Sequence, residues 1–404
     1  MASRRTFLAQ STATAAVGFL ASSRVLGAND RIRLGLIGGG GRGTEIFKTA
    51  LRMPNVEAVA IADVYTRQLD AMRAAVPGIA TYTDFRRLLD DKTIDAVMIA
   101  TPQHLHALHF VPSIEAGKDV YQEKTMAFNP DFAKRMRRAL ANSKQIAQIG
   151  MQSCSGPDLP QARAMLTQDQ MGTISAIHSH MYRNAPYGGW RRTPPADCNP
   201  EHIHSWEAFE GDAARHPFSP ERFINWRFFW DYSGGNCFEN MVHQIGFWTK
   251  TLDLGIPETA SMSGANYFSP DMQVPDTMDV ALKYKNLLFT WNSGFGSSYY
   301  GIDEQVLGTR GTVVRTDQAH VKYVPAGRHA AMAASTTAGT ADIVGGSNTT
   351  KLHVANFLDC VRTRRQPNCP LEIGFRAAIA CQMAVASLRQ NRTVRWDTER
   401  EEIV

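Results

Sequence analysis

Short apolar runs alternate with amphipathic stretches through the first third of the chain. The apolar runs, rich in Val, Ile and Ala, predict strands at Ile32–Ile37, Val56–Ala62, Ala96–Ala100, Asp119–Gln122 and Ile146–Ile149. Between them, helical periodicity predicts a helix that runs towards Ala50 and further helices at Thr66–Ala75, Asp84–Leu89, Leu105–Ala116 and Pro130–Asn142. Because helices separate successive strands, the pattern predicts crossover connections and a doubly wound parallel sheet.

The pattern changes after Met151. Longer alternating runs predict strands at Ile174–Tyr182, Val280–Tyr284, Leu287–Asn292 and Thr312–Arg315, and helices return at Pro160–Gln168, His353–Thr363 and Arg376–Gln390. Lys285 and Asn286 leave a two-residue turn, which requires an antiparallel hairpin. The stretch Pro325–Thr350, rich in Ala, Gly, Ser and Thr, predicts a long loop. We therefore predict an α/β fold, with a parallel-sheet domain over residues 29–150 and a second α/β domain with an open, largely antiparallel sheet over 151–404.

The first residues have the pattern of an export signal. Arg4 and Arg5 precede a stretch of small and apolar residues, Ala13–Ala21, which is typical of a twin-arginine leader. Residues 1–28 are therefore left out of the fold, and the protein is expected in the periplasm or otherwise exported by this route. The alternative is a basic N-terminal tail. The stretch is shorter than the ~20 apolar residues of a membrane span, so we expect no membrane association after processing.

Charge and cysteine content narrow the function classes. The 404 residues include 43 Lys and Arg against 38 Asp and Glu. Three of those arginines lie in the leader, so the rest of the chain is close to neutral and favours neither nucleic acid nor an anionic membrane as partner. The six cysteines show no C-x-x-C spacing, and mostly free, buried thiols are expected. Export would permit a bridge, and Cys360 and Cys369 are the nearest pair in sequence.

A glycine-rich turn follows the first predicted strand. Gly38, Gly40 and Gly43 stand at G-x-G-x-x-G spacing and open a helix, as a pyrophosphate-binding turn requires. A second strand ends in Asp63, about 20 residues further on, where an acid can bind a ribose hydroxyl. This context favours a dinucleotide site over an ordinary glycine turn, and a carboxylate there favours NAD over NADP. Arg67 keeps NADP open as the alternative.

Two further groups carry candidate chemistry. Glu123 and Lys124 follow the strand that ends at Gln122, at the sheet edge where ligands bind in open α/β folds. Glu239 and His243 are spaced i, i+4 in a helical pattern, so that a carboxylate could orient an imidazole acting as a base. The alternatives are a solvated lysine and a surface pair. The spacing is not H-E-x-x-H, and no metal site is predicted.

Taken together, these segments resemble the glucose–fructose oxidoreductase / inositol dehydrogenase / MocA family over nearly all of residues 31–404. The matching pieces are Ile37–Gly43, Ala62-Asp63, Thr101-Pro102 with His106, Glu123-Lys124, Trp230–Gly235 and Asn356–Cys360. The resemblance implies an enzyme that moves a hydride between a nicotinamide and a carbohydrate carbon. It implies that Lys124 and His243 are catalytic, with Glu239 in place of the usual aspartate to orient the imidazole, and Thr125 in place of the usual proline.

The resemblance also implies a set of contacts to the cofactor and the substrate. The predicted cofactor-binding residues are Gly38, Gly40, Gly41, Arg42, Gly43, Asp63, Thr101, Pro102, His106 and Glu123. The predicted substrate contacts are His104, Arg183, Tyr187, Trp190 and Arg191, since an aromatic and basic composition suits a sugar face and its hydroxyls. Ordinary packing is the alternative for each of these.

Export and cofactor use together predict how the enzyme would turn over. Free nicotinamide nucleotides are scarce outside the cytoplasm, so the cofactor is expected to remain bound and be regenerated within the site. One alternative is an NAD-dependent glycosidase or lyase that works through a transient keto-sugar. Another is a non-catalytic sugar-binding module. The open sheet of the second domain also predicts a homo-oligomer.

Overall fold

Six parallel strands form the first sheet of the computed structural model, which describes residues 31–316, 320–327 and 349–404. They are β1 (Ile32–Ile37), β2 (Val56–Ala62), β3 (Ala80–Tyr82), β4 (Ala96–Ile99), β5 (Asp119–Glu123) and β6 (Ala147–Gly150). Their order across the sheet is β3-β2-β1-β4-β5-β6. The order reverses between β1 and β4, and the crevice at the carboxyl ends of these strands is where such sheets bind ligands.

Five helices connect these strands: α1 (Gly41–Leu51), α2 (Thr66–Ala75), α3 (Phe85–Asp90), α4 (His106–Glu115) and α5 (Pro130–Ala141). Their starts have local sequence causes. The Asn129 side chain accepts a hydrogen bond of 2.8 Å from the Phe132 amide, and Pro130 occupies the first turn of α5, where its missing N–H costs nothing.

Nine strands form the second sheet. They are β7 (Ile174–Tyr182), β8 (Thr259–Ala265), β9 (Thr277–Lys283), β10 (Leu288–Gly294), β11 (Ile302–Gly308), β12 (Gly311–Thr316), β13 (Val321–Pro325), β14 (Val394–Asp397) and β15 (Glu402–Ile403). Their order is β13-β12-β11-β7-β10-β9-β8-β14-β15. Only the β7–β10 pair is parallel among these described strands. The predicted hairpin joins β9 to β10, and the Tyr284 amide donates to the Leu287 carbonyl at 2.9 Å.

The helices of the second half are α6 (Asp158–Met165), α7 (Gln168–Met171), α8 (Trp206–Glu210), α9 (Pro220–Ile224), α10 (Val242–Leu252), α11 (Thr349–Thr363) and α12 (Leu371–Gln390). Among the helices described, α12 alone is long and apolar enough to cross a membrane, and 72 % of its apolar window is buried inside the protein. It packs against β8, and its residues share one apolar core with α10 and the sheet.

The predicted fold class is confirmed. β1, β2, α2 and β7 have the predicted bounds, and most other predicted elements differ at their ends by one to three residues. The pattern missed six strands, β3, β8, β11, β13, β14 and β15, which are short or interrupted by glycine and polar residues. All six cysteines are buried and free, as predicted. Residues 1–28 and most of the predicted loop Pro325–Thr350 lie outside the described residues, and the domain boundary at residue 150 stays a prediction.

Candidate active site

The turn after β1 depends on its glycines for different reasons. Gly38 has φ +92°, which side chains rarely adopt, and a Cβ on Gly43 would lie 2.0 Å from the Gly38 carbonyl oxygen. A Cβ on Gly40 would meet no described atom within 4 Å. α1 begins at Gly41 with no side-chain hydrogen bond capping it in the structure, so its first amide groups are free to bind an anion.

Asp63 lies at the carboxyl end of β2, half-buried at the edge of the same crevice. Its carboxylate accepts hydrogen bonds from the Gly39 amide at 2.7 Å and from the Tyr65 amide at 2.9 Å. Burial raises the pKa of Asp63 to about 6, against the opposing effect of these two hydrogen bonds. The two amides fix the carboxylate in place, and its remaining lone pairs face the crevice.

A cavity of about 1540 Å³ occupies the carboxyl ends of the first sheet. Seven of the predicted cofactor-binding residues lie in its wall or at its floor: Gly38, Gly40, Gly41, Arg42, Asp63, Thr101 and Pro102. The volume exceeds that of most small-molecule pockets, and the wall combines an uncapped helix start with a fixed carboxylate. The residues present therefore fit a bound dinucleotide.

Glu123 has a different position from the one predicted. It is 4 % exposed and is not part of the cavity wall. Its carboxylate accepts a hydrogen bond of 2.8 Å from Arg42 Nε, while Arg42 Nη2 is buried with no hydrogen-bond partner in the structure. Glu123 thus orients Arg42 at the floor of the cavity, and its own contact with a dinucleotide stays a prediction.

A segment of the second half, residues 190–227, covers the cavity, and we call it the roof. It contributes Arg192, Thr193, Pro195, His204, Ser205, Glu207, Ala208, Phe209, Gly211, Asp212 and Arg215 to the wall, among others. The roof is joined to the loop after β2, because the His204 amide donates to the Val64 carbonyl at 2.8 Å and the Thr66 amide to the His202 carbonyl at 3.0 Å. Sequence reasoning did not find this cover.

Asp197, in the roof, binds the side chains of Tyr65 and Arg67, which follow Asp63 in the chain. Asp197 accepts hydrogen bonds from Arg67 Nη1 at 2.8 and 3.0 Å and from the Tyr65 hydroxyl at 2.7 Å. Tyr65 packs in a small apolar cluster with Cys198 and Ile203. Arg67 was the residue that left NADP as the alternative cofactor. It lies beside the predicted ribose-binding position and is already paired with Asp197.

Lys124 follows β5 at the inner end of the site. The Lys124–Thr125 peptide is cis, with threonine where proline was expected. The Thr125 hydroxyl donates to the Phe238 carbonyl at 2.7 Å. The ammonium of Lys124 donates to the Glu239 carboxylate at 2.7 Å and to the Glu239 carbonyl at 3.1 Å.

Glu239 is 5 % exposed and has three polar partners. Besides Lys124, its carboxylate accepts a 2.7 Å hydrogen bond from Gln103 Nε2 and lies 3.1 Å from Arg227 Nε. Although burial opposes ionisation, the charges of Arg227 and Lys124 lower the pKa of Glu239 to about 2. The side chain is thus a fixed anion that joins Lys124 and Arg227.

The predicted hydrogen bond from Glu239 to His243 is wrong, since the three partners named above occupy the carboxylate. Glu239 lies in a π-helical turn, Cys237–Met241, and His243 in the following α10. Residues i and i+4 do not share one face across such a widened turn. Burial, with the charges of Lys124 and Arg42, lowers the pKa of His243 to about 3. His243 is therefore a neutral imidazole near Lys124.

Two histidines predicted to contact ligands lie elsewhere. His106 is 1 % exposed, with its ring between the Thr125 carbonyl at 2.6 Å and the Thr101 carbonyl at 3.0 Å. His104 is 3 % exposed and lies 2.6 Å from the Phe209 carbonyl. Neither belongs to the cavity wall. His106 supports the backbone around Lys124. Both rings are packed beside the cavity and not in its wall, and their contacts to the cofactor and the substrate stay predictions.

The other predicted substrate residues divide into two groups. Trp190 lies in the cavity wall, and the part-buried Arg183 guanidinium stacks over its ring at 4.9 Å. Tyr187 is 60 % exposed and outside the wall. Arg191 is also outside it and is paired with Asp271 at 2.7 Å. The structure therefore brings Trp190, and through it Arg183, to the cavity, and it places Tyr187 and Arg191 outside the cavity wall.

Sequence reasoning missed three residues that the fold brings to the site, Gln103, Arg192 and Arg227, whereas it had weighed Trp226 as a candidate substrate contact. Arg192, Trp226 and Arg227 are in the cavity wall. A motif signal existed only for Gln103, which directly follows Thr101-Pro102. No group of three metal-ligating side chains occurs in the part of the chain that the structure describes.

Comparison with known proteins identifies both halves. Residues 32–151 match the family model described as "Oxidoreductase family, NAD-binding Rossmann fold". Residues 207–395 match its partner, "Oxidoreductase family, C-terminal alpha/beta domain". Residues 152–206, which include the first part of the roof, lie between the two matches.

Curated relatives match over shorter segments. Inositol 2-dehydrogenase 4 of Saccharopolyspora erythraea is 25 % identical over 163 residues, covering 40 % of this chain and 48 % of that protein. A glycosyl hydrolase family 109 protein of Stenotrophomonas maltophilia is 35 % identical over 125 residues, 28 % of each chain. The chain thus spans less than half the length of either relative.

A solved structure, levoglucosan dehydrogenase in complex with NADH, superposes with a TM-score of 0.67. Its sequence is 19 % identical, and the match covers 90 % of this chain and 99 % of that one. At this identity the likeness supports a shared fold.

Proposed function

This chain belongs to the Gfo/Idh/MocA oxidoreductase family, and from that premise we propose that it is an NAD-dependent oxidoreductase acting on a carbohydrate or glycoside hydroxyl. The observation that carries the proposal is the position of Lys124 and His243, where β5 meets α10 beside a cavity suited to a dinucleotide. When bound there, the nicotinamide would supply the hydride chemistry. The protein side chains supply binding, orientation and proton transfer.

The roles of the inner residues follow from their charge states. His243, neutral near pH 7 because of its lowered pKa, can accept the proton of a substrate hydroxyl. The Lys124 ammonium can stabilise the oxygen as negative charge develops on it. Glu239 holds that ammonium by a 2.7 Å hydrogen bond, so it positions Lys124. Tryptophans in the wall, Trp190 and Trp226, offer flat apolar faces to a sugar ring.

NAD rather than NADP is supported by two side chains. The Asp63 carboxylate faces the ribose position and would oppose a 2′-phosphate. Arg67, a cation in the cavity wall four residues after Asp63 that could attract that phosphate, is paired with Asp197. Retention of the cofactor during turnover is supported by the roof, which covers part of the cavity and is fixed to the loop after β2 by backbone hydrogen bonds at Val64 and Thr66.

Retention fits a protein that leaves the cytoplasm, and we extend the proposal to twin-arginine export on the basis of Arg4 and Arg5. Cell fractionation of the full chain and of an Arg4→Lys, Arg5→Lys variant tests this part. The parent is expected outside the cytoplasm and the variant inside it. Equal distribution of the two proteins would contradict export by this route.

The central test uses protein purified without added cofactor. Denaturation is expected to release NAD or NADH in about one equivalent, identified by mass spectrometry. Addition of a sugar or glycoside to the native protein is expected to change nicotinamide absorbance without releasing the nucleotide. If the purified protein contains no nucleotide and reacts with substrate only when NAD is added, the proposal of a retained cofactor would be contradicted. The proposal of an oxidoreductase would stand.

The similarity to a glycosyl hydrolase family 109 protein favours one second candidate, a glycosidase or lyase that oxidises its substrate transiently. Product analysis separates the two. Accumulation of an oxidised sugar, or of an oxidised and a reduced sugar in equal amounts, indicates an oxidoreductase. Release of the aglycone with no net change in oxidation state indicates the glycosidase or lyase. If the protein converts none of the substrates, and Lys124→Ala binds sugars as the parent does, the protein would be a non-catalytic sugar-binding module.

A further inference from the structure

Positive side chains outnumber negative ones at the inner end of the site. Lys124 lies 2.7 Å and Arg227 lies 3.1 Å from the same carboxylate, that of Glu239. A third cation, Arg183, feels the charge of Glu239, although burial lowers its pKa. Arg42 is matched by its own partner, Glu123. Two cations therefore share one anion, and a third lies close enough to feel its charge without pairing with it.

Arg183 is the cation without a partner. In the described residues its guanidinium has neither an ion pair nor a side-chain hydrogen bond, and it stacks over Trp190 at 4.9 Å and Phe295 at 5.6 Å. Ring faces compensate a cation only in part. The Arg183 side chain is part-buried, so its guanidinium remains available to an anionic ligand, which could bind it through charge-assisted hydrogen bonds.

The two arginines are held in a similar way. Arg227 stacks over Trp226 at 4.2 Å, as Arg183 does over Trp190, and both tryptophans line the cavity. Stacking fixes the plane of a guanidinium and leaves its N–H edge free to donate. A planar fork of N–H groups binds carboxylate or phosphate oxygens in pairs.

We propose that the substrate is an anionic sugar, bearing a carboxylate or a phosphate that Arg183 and Arg227 bind while its hydroxyl faces Lys124 and His243. This inference rests on the proposed function and narrows it, because a neutral sugar would leave Arg183 unpaired. The two arginines select the substrate and orient it, and they take no part in the proton or hydride transfer.

Arg191 offers a matched control. It is also an arginine stacked on an aromatic ring, that of Phe228 at 4.7 Å. Unlike Arg183, it already has two acidic partners, Asp271 at 2.7 Å and Glu221 at 3.5 Å. Replacing it therefore removes a similar side chain without removing an unpaired charge.

The test is calorimetric titration of the protein with its bound cofactor against methyl β-D-glucuronide, D-glucose 6-phosphate and methyl β-D-glucoside. At least one anionic sugar is expected to bind about tenfold more tightly than the neutral glycoside. Comparison of the two anions shows whether the group is a carboxylate or a phosphate. Arg183→Met is expected to abolish the preference by weakening the binding of the anionic sugar, whereas Arg191→Met retains the preference.

Equal affinity for the neutral and anionic sugars, or a preference that survives Arg183→Met, would overturn the proposal. Reduction of the bound nicotinamide by the neutral glycoside in that case would leave the proposed function intact. Failure of all three sugars to bind would count against a carbohydrate substrate and so against both. If Arg183→Met does not fold, as judged by circular dichroism, Arg183→Lys keeps the charge without the fork and is expected to lose part of the preference.

Discussion

Asp197 and Arg67 form an ion pair that joins the roof to the start of α2, with Arg67 Nη1 at 2.8 and 3.0 Å from the two carboxylate oxygens. The pair lies beside Asp63, at the position that distinguishes the two nicotinamide cofactors. The proposed preference for NAD depends in part on this pair, because it occupies the cation that could otherwise bind a 2′-phosphate.

Releasing Arg67 is therefore expected to change cofactor preference. In Asp197→Ala, the ratio of NADP to NAD affinity should rise by about tenfold, since a free guanidinium binds phosphate strongly. Fluorescence titration of protein stripped of its nucleotide measures both affinities. The double variant Asp197→Ala, Arg67→Ala is the control and should return to the parent ratio. A ratio that rises equally in both variants would assign the effect to a loosened roof.

The glycines at the start of α1 should respond differently to alanine. Gly43→Ala places a Cβ 2.0 Å from the Gly38 carbonyl, so it should lower the melting temperature and the amount of folded protein. Gly40→Ala meets nothing in the protein within 4 Å, and only a pyrophosphate approaching the turn would oppose it. We expect Gly40→Ala to fold normally but to bind NAD at least tenfold more weakly. Normal NAD binding by Gly40→Ala would contradict the position assigned to the pyrophosphate.

His243 sets an expectation for the pH dependence of the reaction. Its pKa is lowered to about 3 from an ordinary value of 6.5, so it stays unprotonated through the neutral range. We expect kcat/KM to show no acidic limb between about pH 8 and about pH 5 that is due to this residue. His243→Asn should reduce kcat by 10²-fold or more at every pH in that range. An acidic limb near the ordinary histidine value, absent in the variant, would show that the imidazole is not desolvated in the working enzyme.

Glu239 sets an expectation for acid stability. In the folded protein the pKa of the Glu239 carboxyl is about 2, so it stays ionised down to about that pH. In the unfolded chain it takes up a proton near its ordinary pKa of 4.5. Its contribution is therefore complete above pH 4.5 and is lost as the pH falls from there to about 2. The loss is on the order of 3 kcal/mol in the free energy of unfolding.

Urea denaturation near pH 7 and near pH 3 measures this effect. Glu239→Gln should be less stable than the parent near neutrality and should lose less on acidification. The exposed Glu201 gives a control, and Glu201→Gln should follow the parent at both pH values. A parallel loss of stability in Glu239→Gln and the parent would show that the carboxylate is not the group that titrates.

The parts of the site that could be predicted from sequence are those fixed by local geometry. Gly38, Gly43 and Asp63 are placed by a strand, a turn and a helix start that are contiguous in the chain, so spacing alone located them. Lys124 was found because a strand end determines which edge of the sheet it occupies. The same reasoning gave β1 and β2 their observed bounds.

The differences from the prediction arise where distant packing decides. His104 and His106 follow a strand end as a ligand-binding pair would, yet burial under Phe209 and Thr125 keeps both out of the cavity wall. The pairing of Glu239 with His243 assumed an α-helix, and the π-helical turn changes the direction of the carboxylate. Arg227 lies beside Glu239 because of how the roof folds, and no local sequence pattern predicts that fold.

Lys124 belongs to the first half of the chain, and the groups that surround its ammonium, Glu239 and His243, belong to the second. The two halves also share one apolar core, and the Gln382 side-chain amide donates to the Ala127 carbonyl at 2.7 Å. Neither half therefore holds the proposed catalytic groups on its own. They come together only where the two halves pack, so a substitution that loosens this packing would disturb the site without touching any of its residues.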